Sequence, residues 1–309
     1  MERVTGADVR AAAGRLAAHL RVSPVHVIDG DGFGTSFDVV CKLDLLLPTG
    51  SFKVRGAMSL LTASDVPEAG VVAASGGNFG LAIAWAARRL GHRAEIFVPA
   101  TSPAEKVEPI RDLGAAVHVV DGYYAQALEA ARTHAAAGGA LAAHAYDQPA
   151  VVAGQGTAML ELLDQAPDVD TVLVACGGGG LLAGTVAASE GRVRVVAVET
   201  EGTPTLHAAR RAGMPVDVEV GGLAASALGA ARLGDLAWAA NDGIADAVLV
   251  TDADVLATQR RLWQAARLVA EPGGATALAA LTSGMYRPEP GERVAVLVCG
   301  GNTHPGSVV

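Results

Sequence analysis

The sequence predicts an α/β protein with two mostly parallel, twisted sheets, each flanked by helices. Short apolar runs rich in β-branched residues alternate with alanine-rich runs of helical spacing along most of the chain. The apolar runs are almost uninterrupted, as in parallel strands that are covered on both faces. Roughly nine such strands are many for a single sheet of this kind, so two sheets are expected. A chain of 309 residues is long enough for two domains.

The expected elements follow from these runs. The predicted strands are Phe37–Leu43, Val71–Ala74, Ala94–Val98, Ala116–Val120, Ala140–His144, Thr171–Ala175, Val193–Val198, Ala247–Val250 and Arg293–Val298. The predicted helices are Ala7–Leu20, Ala57–Leu61, Asn78–Leu90, Ala104–Leu113, Ala125–Ala136, Ala150–Asp164, Leu181–Ser189, Thr205–Arg211, Leu223–Ala240, Asp254–Ala270 and Ala275–Leu281. The four strands between residues 71 and 145 are expected to form the smaller of the two sheets.

Bulk properties exclude several function classes. A net charge of −9 disfavours nucleic acids and anionic membranes as partners. The three cysteines are far apart and the histidines lack paired spacing, so no metal site is expected. The uncharged stretch Thr171–Ser189 is interrupted by glycines, which favours a strand and a helix over a membrane span. Residues 1–5 carry no apolar signal segment, and we expect a soluble, cytoplasmic protein.

One lysine stands in a turn between a predicted strand and a predicted helix. Pro48–Ala57 reads PTGSFKVRGA, in which Gly50 and Gly56 frame Lys53, and Ser51 is placed to cap the helix. Desolvation at the mouth of a sheet lowers a lysine pKa and frees the amine as a nucleophile or base. The alternative is an exposed lysine that begins a surface helix.

Three glycine-rich turns also follow predicted strands, where helix N-termini present free amides to ligands. They are Ser75–Gly80 (SGGNFG), Gly177–Gly180 (GGGG) and Cys299–Asn302 (CGGN). Four consecutive glycines favour phosphate binding, because no side chain keeps a phosphate from the backbone. Gly178, Gly180, Ala183 and Glu199 also fit a relaxed dinucleotide fingerprint, which leaves an NAD-dependent oxidoreductase open. In a non-catalytic binding protein, Lys53 would only pair with a ligand anion.

Taken in order, PTGSFKVRGA, SGGNFG, CGGGGLLAG, EPGGA and CGGN resemble the serine/threonine dehydratase and serine racemase branch of fold-type II pyridoxal-phosphate enzymes. The resemblance runs from about Val22 to Asn302. It implies α,β-elimination of L-threonine or L-serine to a 2-keto acid and ammonia, with pyridoxal 5'-phosphate as cofactor. Other functions of the superfamily, β-replacement and 3-hydroxyaspartate dehydration, stay open as alternatives, although Val54 stands where β-replacement enzymes usually carry Asp.

The resemblance also implies the site residues. Lys53 would be the Schiff-base lysine, and Glu271 an acid near the cofactor, whose other role would be to cap the next helix. The remaining cofactor contacts would be Phe52 on the ring, Asn78 on its phenolic oxygen, Gly177, Gly178, Gly179 and Gly180 on the phosphate, and Cys299 at the pyridine nitrogen. The substrate carboxylate would bind Ser75, Gly76, Gly77 and Asn78. Candidates for lining the pocket of the substrate side chain are Tyr123, Tyr124 and Tyr146.

Some expectations concern the whole chain. Residues 1–58 and 146–309 would form a large cofactor-binding domain, and residues 59–145 a small domain that closes over substrate. The resemblance further implies a homodimer and, since the chain stops at Val309, no C-terminal regulatory domain.

Departures from the branch limit what can be expected. Gly76 stands where racemases carry a serine base, so racemisation should be weak or absent. Thr205 replaces an Asp of the branch's divalent-metal site near Glu199, which argues against a metal there.

Overall fold

The computed structural model describes residues 3–308. Its strands are β1 (Val25–Ile28), β2 (Val39–Leu43), β3 (Val71–Ala74), β4 (Ala94–Pro99), β5 (Ala116–Val120), β6 (Leu141–Ala143), β7 (Thr171–Ala175), β8 (Arg194–Thr200), β9 (Asp246–Val250) and β10 (Val294–Val298). Its α-helices are α1 (Gly6–Leu16), α2 (Gly30–Phe33), α3 (Lys53–Ala63), α4 (Asn78–Leu90), α5 (Ala104–Asp112), α6 (Tyr124–Gly138), α7 (Pro149–Gln165), α8 (Gly180–Ser189), α9 (Thr205–Ala212), α10 (Ala225–Leu228), α11 (Asp235–Ala239), α12 (Asp252–Ala266) and α13 (Pro272–Thr282).

The larger sheet has the strand order β1-β2-β10-β7-β8-β9. Every neighbouring pair is parallel except β1 with β2, which is antiparallel. Its central strands β2, β7 and β10 are buried along their whole length, as expected of strands with helices on both faces. The carboxyl ends of β2, β7 and β10 therefore open onto the same edge of the sheet.

The smaller sheet has the order β5-β4-β3-β6 and is parallel throughout. The predicted fold class, two twisted, mostly parallel sheets flanked by helices, is confirmed. The division into domains at residues 58 and 145 stays a prediction. Within residues 3–308, no helix combines the length and the apolar character that a membrane crossing needs. The expectations for residues 1–5 and for the chain end fall partly on Met1, Glu2 and Val309, which lie outside the described residues.

One predicted helix is wrong, and the sequence analysis missed two short elements, β1 and α2. The expected helix Leu223–Ala240 is two short helices, α10 and α11, because Gly229 and Gly234 interrupt an otherwise alanine-rich run. Strand β1 (VHVI) was not predicted; it has only four residues, and two of them are exposed. The interiors of both sheets follow the prediction more closely than these edges do.

The helix that carries Lys53 begins earlier than predicted. Lys53 is the first residue of α3, and the residue before it, Phe52, is the N-cap without a side-chain hydrogen bond. The predicted cap by Ser51 is wrong, because Ser51 Oγ is buried without a hydrogen-bond partner. Ser51 instead pairs its backbone with Gly300, which places the start of α3 beside the end of β10.

A buried ionic cluster holds α3 in place. Arg55 Nε lies 2.7 Å from Asp44 Oδ2, and its Nη1 lies 2.7 Å from Glu161 Oε1 on α7. Lys42 Nζ of β2 contacts the other Glu161 oxygen at 2.6 Å. Because the charges are paired and hydrogen-bonded, the cluster can stay buried, and it fixes α3 against β2 and α7.

Candidate active site

Lys53 lies beside turns that follow strands of both sheets. Its Nζ donates a hydrogen bond to the carbonyl oxygen of Ala145 at 3.1 Å, and the rings of Phe52 and Phe79 lie 5.0 and 5.9 Å from it. Desolvation lowers the pKa of the Lys53 ammonium to about 8, and the neighbouring Cys299 and Glu271 side chains oppose that shift only in part. The exposed-lysine alternative is therefore wrong, and an appreciable fraction of the amine is free near neutral pH.

A cavity of about 360 Å³ opens in front of Lys53. The turn Ser75–Gly77, at the carboxyl end of β3, lines it together with Asn78, the first residue of α4. Gly77 N donates to Ser75 Oγ at 3.2 Å, so the hydroxyl keeps its own hydrogen for a ligand. Free amides at the start of a helix and a hydroxyl donor suit an anionic group such as a carboxylate.

Asn78 is held by two residues from the larger sheet's side of the cavity. Its Nδ2 donates to Glu271 Oε1, and its Oδ1 accepts from Asn302 Nδ2 at 2.7 Å. A second hydrogen of Asn302 Nδ2 reaches the carbonyl oxygen of Thr49 at 2.7 Å. A flipped Asn78 would set oxygen against Glu271 and nitrogen against nitrogen, so its orientation is fixed. One Nδ2 hydrogen of Asn78 remains for a ligand in the cavity.

Glu271 does not cap the next helix with its side chain. It occupies the N-cap position of α13, but that side chain makes no cap hydrogen bond and contacts Asn78 instead. Burial raises the pKa of the Glu271 carboxyl to about 7, against the lowering effect of the Asn78 hydrogen bond. The Glu271 carboxyl thus contacts a residue that lines the cavity, and its role beside the cofactor stays a prediction.

The glycine loop stands between β7 and α8 and leaves no space for side chains. Gly179 has a φ of +84°, a conformation that favours glycine. A Cβ on Gly178 would lie 2.3 Å from the Tyr146 ring, and one on Gly180 would lie 2.6 Å from Gln155 Oε1. One on Gly177 would lie 2.5 Å from the Leu228 carbonyl oxygen. The amides of the loop and of the α8 N-terminus thus form a cradle of the kind that binds phosphate.

Cys299 follows β10 and is buried beside this region. Its Sγ lies 3.6 Å from the carbonyl oxygen of Gly273 and donates to it. Burial raises the pKa of the Cys299 thiol far above its usual value, and the neighbouring Glu271 charge acts in the same direction. The side chain is therefore a neutral thiol, in keeping with the weak neutral partner expected at this position.

Glu199 has a structural role in this fold. Its carboxylate accepts the backbone N–H groups of Leu206 and His207 at 2.7 and 2.9 Å, at the start of α9. Thr205 Oγ1 contacts the same carboxylate at 3.1 Å and also the Gly177 carbonyl oxygen. Within residues 3–308, no group of three or more His, Cys, Asp or Glu side chains is arranged to hold a metal ion.

The structure brings half of the predicted site residues to the lining of one cavity. Lys53, Ser75, Gly76, Gly77, Asn78 and Gly178 line the cavity. The other predicted residues are not among those that line it: Phe52, Gly177, Gly179, Gly180, Glu271 and Cys299. The roles carried over to all of these residues remain predictions.

Of the three tyrosines that were candidates for the side-chain pocket, Tyr124 and Tyr146 line the cavity. Tyr123 does not, and it is 74% exposed.

Sequence reasoning missed other groups that line the cavity. Ser102 and Lys106 come from the segment after β4, and Ser226 comes from α10. The position of Ser102, just beyond the carboxyl end of a parallel strand, is the signal that could have indicated it. Asn302 was noted within CGGN, but nothing local indicated its contact with Asn78.

Comparison with known proteins identifies the class of this site. The sequence profile of the pyridoxal-phosphate dependent enzymes matches residues 16–300. The chain therefore belongs to this family, and its cofactor is pyridoxal phosphate.

Individual relatives narrow the comparison. The chain is 34% identical to the L-threonine ammonia-lyase of Thermotoga maritima over 274 residues, 87% of this chain and 68% of that protein. It is 35% identical to the L-threo-3-hydroxyaspartate ammonia-lyase of a Pseudomonas species over 301 residues, 96% of this chain and 94% of that protein. The structure of maize serine racemase superposes with a TM-score of 0.93 at 28% identity, covering 99% of this chain and 96% of that one.

Relatives that act on threonine are often longer than this chain. The match spans 68%, 66% and 47% of the length of three threonine ammonia-lyases and dehydratases.

The described residues fit pyridoxal phosphate. A partly free lysine amine is available for its aldehyde, and the glycine cradle has amide donors and no side chains where a phosphate would bind. Asn78 keeps one amide hydrogen for an oxygen acceptor, and Cys299 offers a neutral thiol. The dinucleotide interpretation is set aside, because the family match names another cofactor and Glu199 is engaged with α9.

Proposed function

We propose that this protein is a serine/threonine dehydratase, which eliminates the β-hydroxyl of L-threonine or L-serine and releases a 2-keto acid and ammonia. The observation that carries the proposal is the desolvated Lys53 amine, which faces an anion-binding turn across one cavity. The ammonia-lyases among the relatives support the same reaction class. Elimination removes a proton and a hydroxyl, and hydrolysis of the enamine product then yields the keto acid and ammonia.

Each group of the chain has a defined task in this reaction. Pyridoxal phosphate, when bound, supplies the carbonyl that takes up the substrate amine and the ring that withdraws electrons from Cα. The Ser75–Gly77 turn holds the substrate carboxylate and thereby sets the position of Cα relative to Lys53. Lys53 takes the Cα proton on its Nζ, for which a pKa near the working pH is favourable.

The neutral thiol at Cys299 favours elimination over reactions that need a long-lived carbanion. A buried thiol does not supply the negative charge that a carboxylate would place beside the cofactor ring. Cys299 would thus leave the ring a weaker electron sink, which suits prompt loss of the β-hydroxyl.

The experiment that tests this function measures 2-ketobutyrate and ammonia from L-threonine, and pyruvate and ammonia from L-serine. Wild-type protein should release the two products in equal amounts. Lys53→Ala should reduce turnover at least about a thousandfold while the fold persists, because the nucleophile and the base are lost together. Undiminished turnover by Lys53→Ala would contradict the proposal.

We also propose that the protein is a cytoplasmic homodimer. The relationship to a family whose members commonly form dimers motivates this proposal. Light scattering on the purified protein should give about twice the chain mass of 31.0 kDa. A mass equal to that of one chain would contradict the dimer.

A further inference from the structure

A side chain from a neighbouring loop fills the space beside Gly76. A Cβ built on Gly76 would lie 2.1 Å from Ser102 Oγ and 2.7 Å from Ser102 Cβ. Non-bonded atoms do not approach so closely, so a side chain at position 76 would force the Ser102 side chain or its turn to move. Ser102 therefore places its hydroxyl in the volume that a side chain of residue 76 would take.

The topology explains how Ser102 reaches this place. Strands β3 and β4 are parallel neighbours, with Ala74 opposite Phe97, so the turns that follow them meet at one edge of the sheet. The backbone N–H of Ser102 donates to the Pro99 carbonyl oxygen at 2.9 Å, which anchors the turn. The turn that carries the Ser102 side chain is thus positioned by the fold.

The Ser102 hydroxyl is free to bind a ligand. Ser102 lines the same cavity as Lys53, and its side chain makes no hydrogen bond within residues 3–308. The neighbouring Ser75 hydroxyl is already an acceptor for Gly77 N. The lining includes two lysines, Lys53 and Lys106, and no Asp or Glu among the described residues. A hydroxyl beside free amides in such a cavity suits a carboxylate.

We propose that Ser102 is a substrate-binding residue, whose hydroxyl donates a hydrogen bond to the substrate α-carboxylate next to the Ser75–Gly77 turn. The inference rests on the proposed function, since it assigns a contact within that amino-acid site. In this chain the loop after β4 would then supply, through Ser102, the hydroxyl that a serine at position 76 would otherwise supply.

Moving the hydroxyl between the two loops tests the proposal. Ser102→Ala should raise the KM for L-threonine about tenfold and change kcat less than about twofold, as expected for one lost hydrogen bond to a charged group. Gly76→Ser alone should be impaired, because its side chain meets Ser102. The double variant Gly76→Ser with Ser102→Gly removes that conflict and should restore KM to within about threefold of wild type. Ser102→Gly alone is its matched control and should stay impaired.

A binding measurement separates this proposal from the proposed function. L-Alanine has the α-carboxylate but no β-hydroxyl to eliminate, so its dissociation constant can be read from the visible band of the holoenzyme. The constant should rise about tenfold in Ser102→Ala and recover in the double variant. If wild type fails to turn over threonine, the proposed function fails, while the alanine titration still decides the role of Ser102.

Two results would overturn the proposal. One is a Ser102→Ala variant with an unchanged KM for threonine and unchanged alanine affinity. The other is rapid D-serine formation by wild type that disappears in Ser102→Ala with unchanged alanine affinity. That second result would mean that the hydroxyl transfers a proton instead of binding the carboxylate.

Discussion

At the scale of single residues, the chemistry depends on the low pKa of Lys53. Its nearest polar contact is a backbone carbonyl, not a carboxylate, so desolvation outweighs the attraction of nearby negative charge. A direct ion pair would have held the amine protonated and unreactive. The position thus favours a nucleophile at the expense of stability.

Replacing Lys53 should therefore stabilise the cofactor-free protein. Its folded-state pKa of about 8 lies below the ordinary 10.5, so the charged amine costs the folded state up to about 3 kcal/mol below pH 8. The cost shrinks between pH 8 and 10.5 and vanishes above that range. Lys53→Met should raise the free energy of urea unfolding most at pH 7 and little at pH 10.5.

Lys106→Met is the matched control for this measurement. Lys106 lines the same cavity and is half-buried, as Lys53 is, and its replacement removes the same charge; it should change the unfolding free energy by less than about 1 kcal/mol. A stabilisation of Lys53→Met that does not decline with rising pH would contradict the assigned cause.

Local sequence indicated the individual site residues only in part. Lys53, Ser75 and Asn78 were predictable because glycines and a preceding strand mark each turn. The hydrogen bond from Asn302 to Asn78 was not, since those residues are far apart along the chain and meet only in the fold. Sequence analysis missed Ser102 for the same reason, because its neighbour Gly76 belongs to another turn.

At the scale of elements, the glycine loop has no room for side chains, because neighbouring residues occupy the space that each Cβ would take. Gly178→Ala would put a methyl group 2.3 Å from the Tyr146 ring, so the ring or the loop must move. We expect the dissociation constant of pyridoxal phosphate to rise at least about tenfold. Absorbance titration of the cofactor-free variant measures it.

Gly14→Ala controls for the added methyl group. Gly14 lies inside α1, and a Cβ there meets nothing within 4 Å. That variant should bind the cofactor as wild type does and gain up to about 1 kcal/mol of stability from its helix propensity. Equal affinity in Gly178→Ala and Gly14→Ala would show that the loop does not form the phosphate site.

Strands with continuous apolar patterns were predicted well. Strands β3 and β7 are buried along their whole length and have the predicted bounds, because a run buried on both faces leaves little choice of structure. The edge strand β5 also has the predicted bounds, although two of its five residues are exposed. The alanine-rich run 223–240 satisfied helix propensity, but its two glycines break it where the chain passes the cavity. The helical pattern is the same before and after the glycines, so the composition of the run did not reveal the break.

At the scale of the whole molecule, one carboxamide joins the two sheets at the active site. Asn302 follows β10 of the larger sheet, while Asn78 begins α4, which packs on the smaller one. The same Asn302 carboxamide holds Thr49, which has an unfavourable φ of +68°, just before Lys53. Asn302 therefore links the position of Lys53 to that of Asn78.

Asn302→Asp should uncouple these positions without a change in side-chain size. The aspartate has no hydrogen to donate to Thr49 or Asn78, so acceptor would face acceptor. We expect cofactor affinity to fall about tenfold, measured by absorbance titration. Asn241→Asp is the control, because Asn241 Oδ1 accepts from Arg210 Nε and an aspartate can do the same. Wild-type affinity in Asn302→Asp would contradict the link.

The measurement that tests the account most directly is the visible spectrum of the purified protein during titration with L-threonine. We expect a band of bound pyridoxal phosphate that is absent in Lys53→Ala, shifts as threonine is added and returns as 2-ketobutyrate accumulates. A band that does not change when threonine or serine is added, with no keto acid formed, would contradict the proposed elimination.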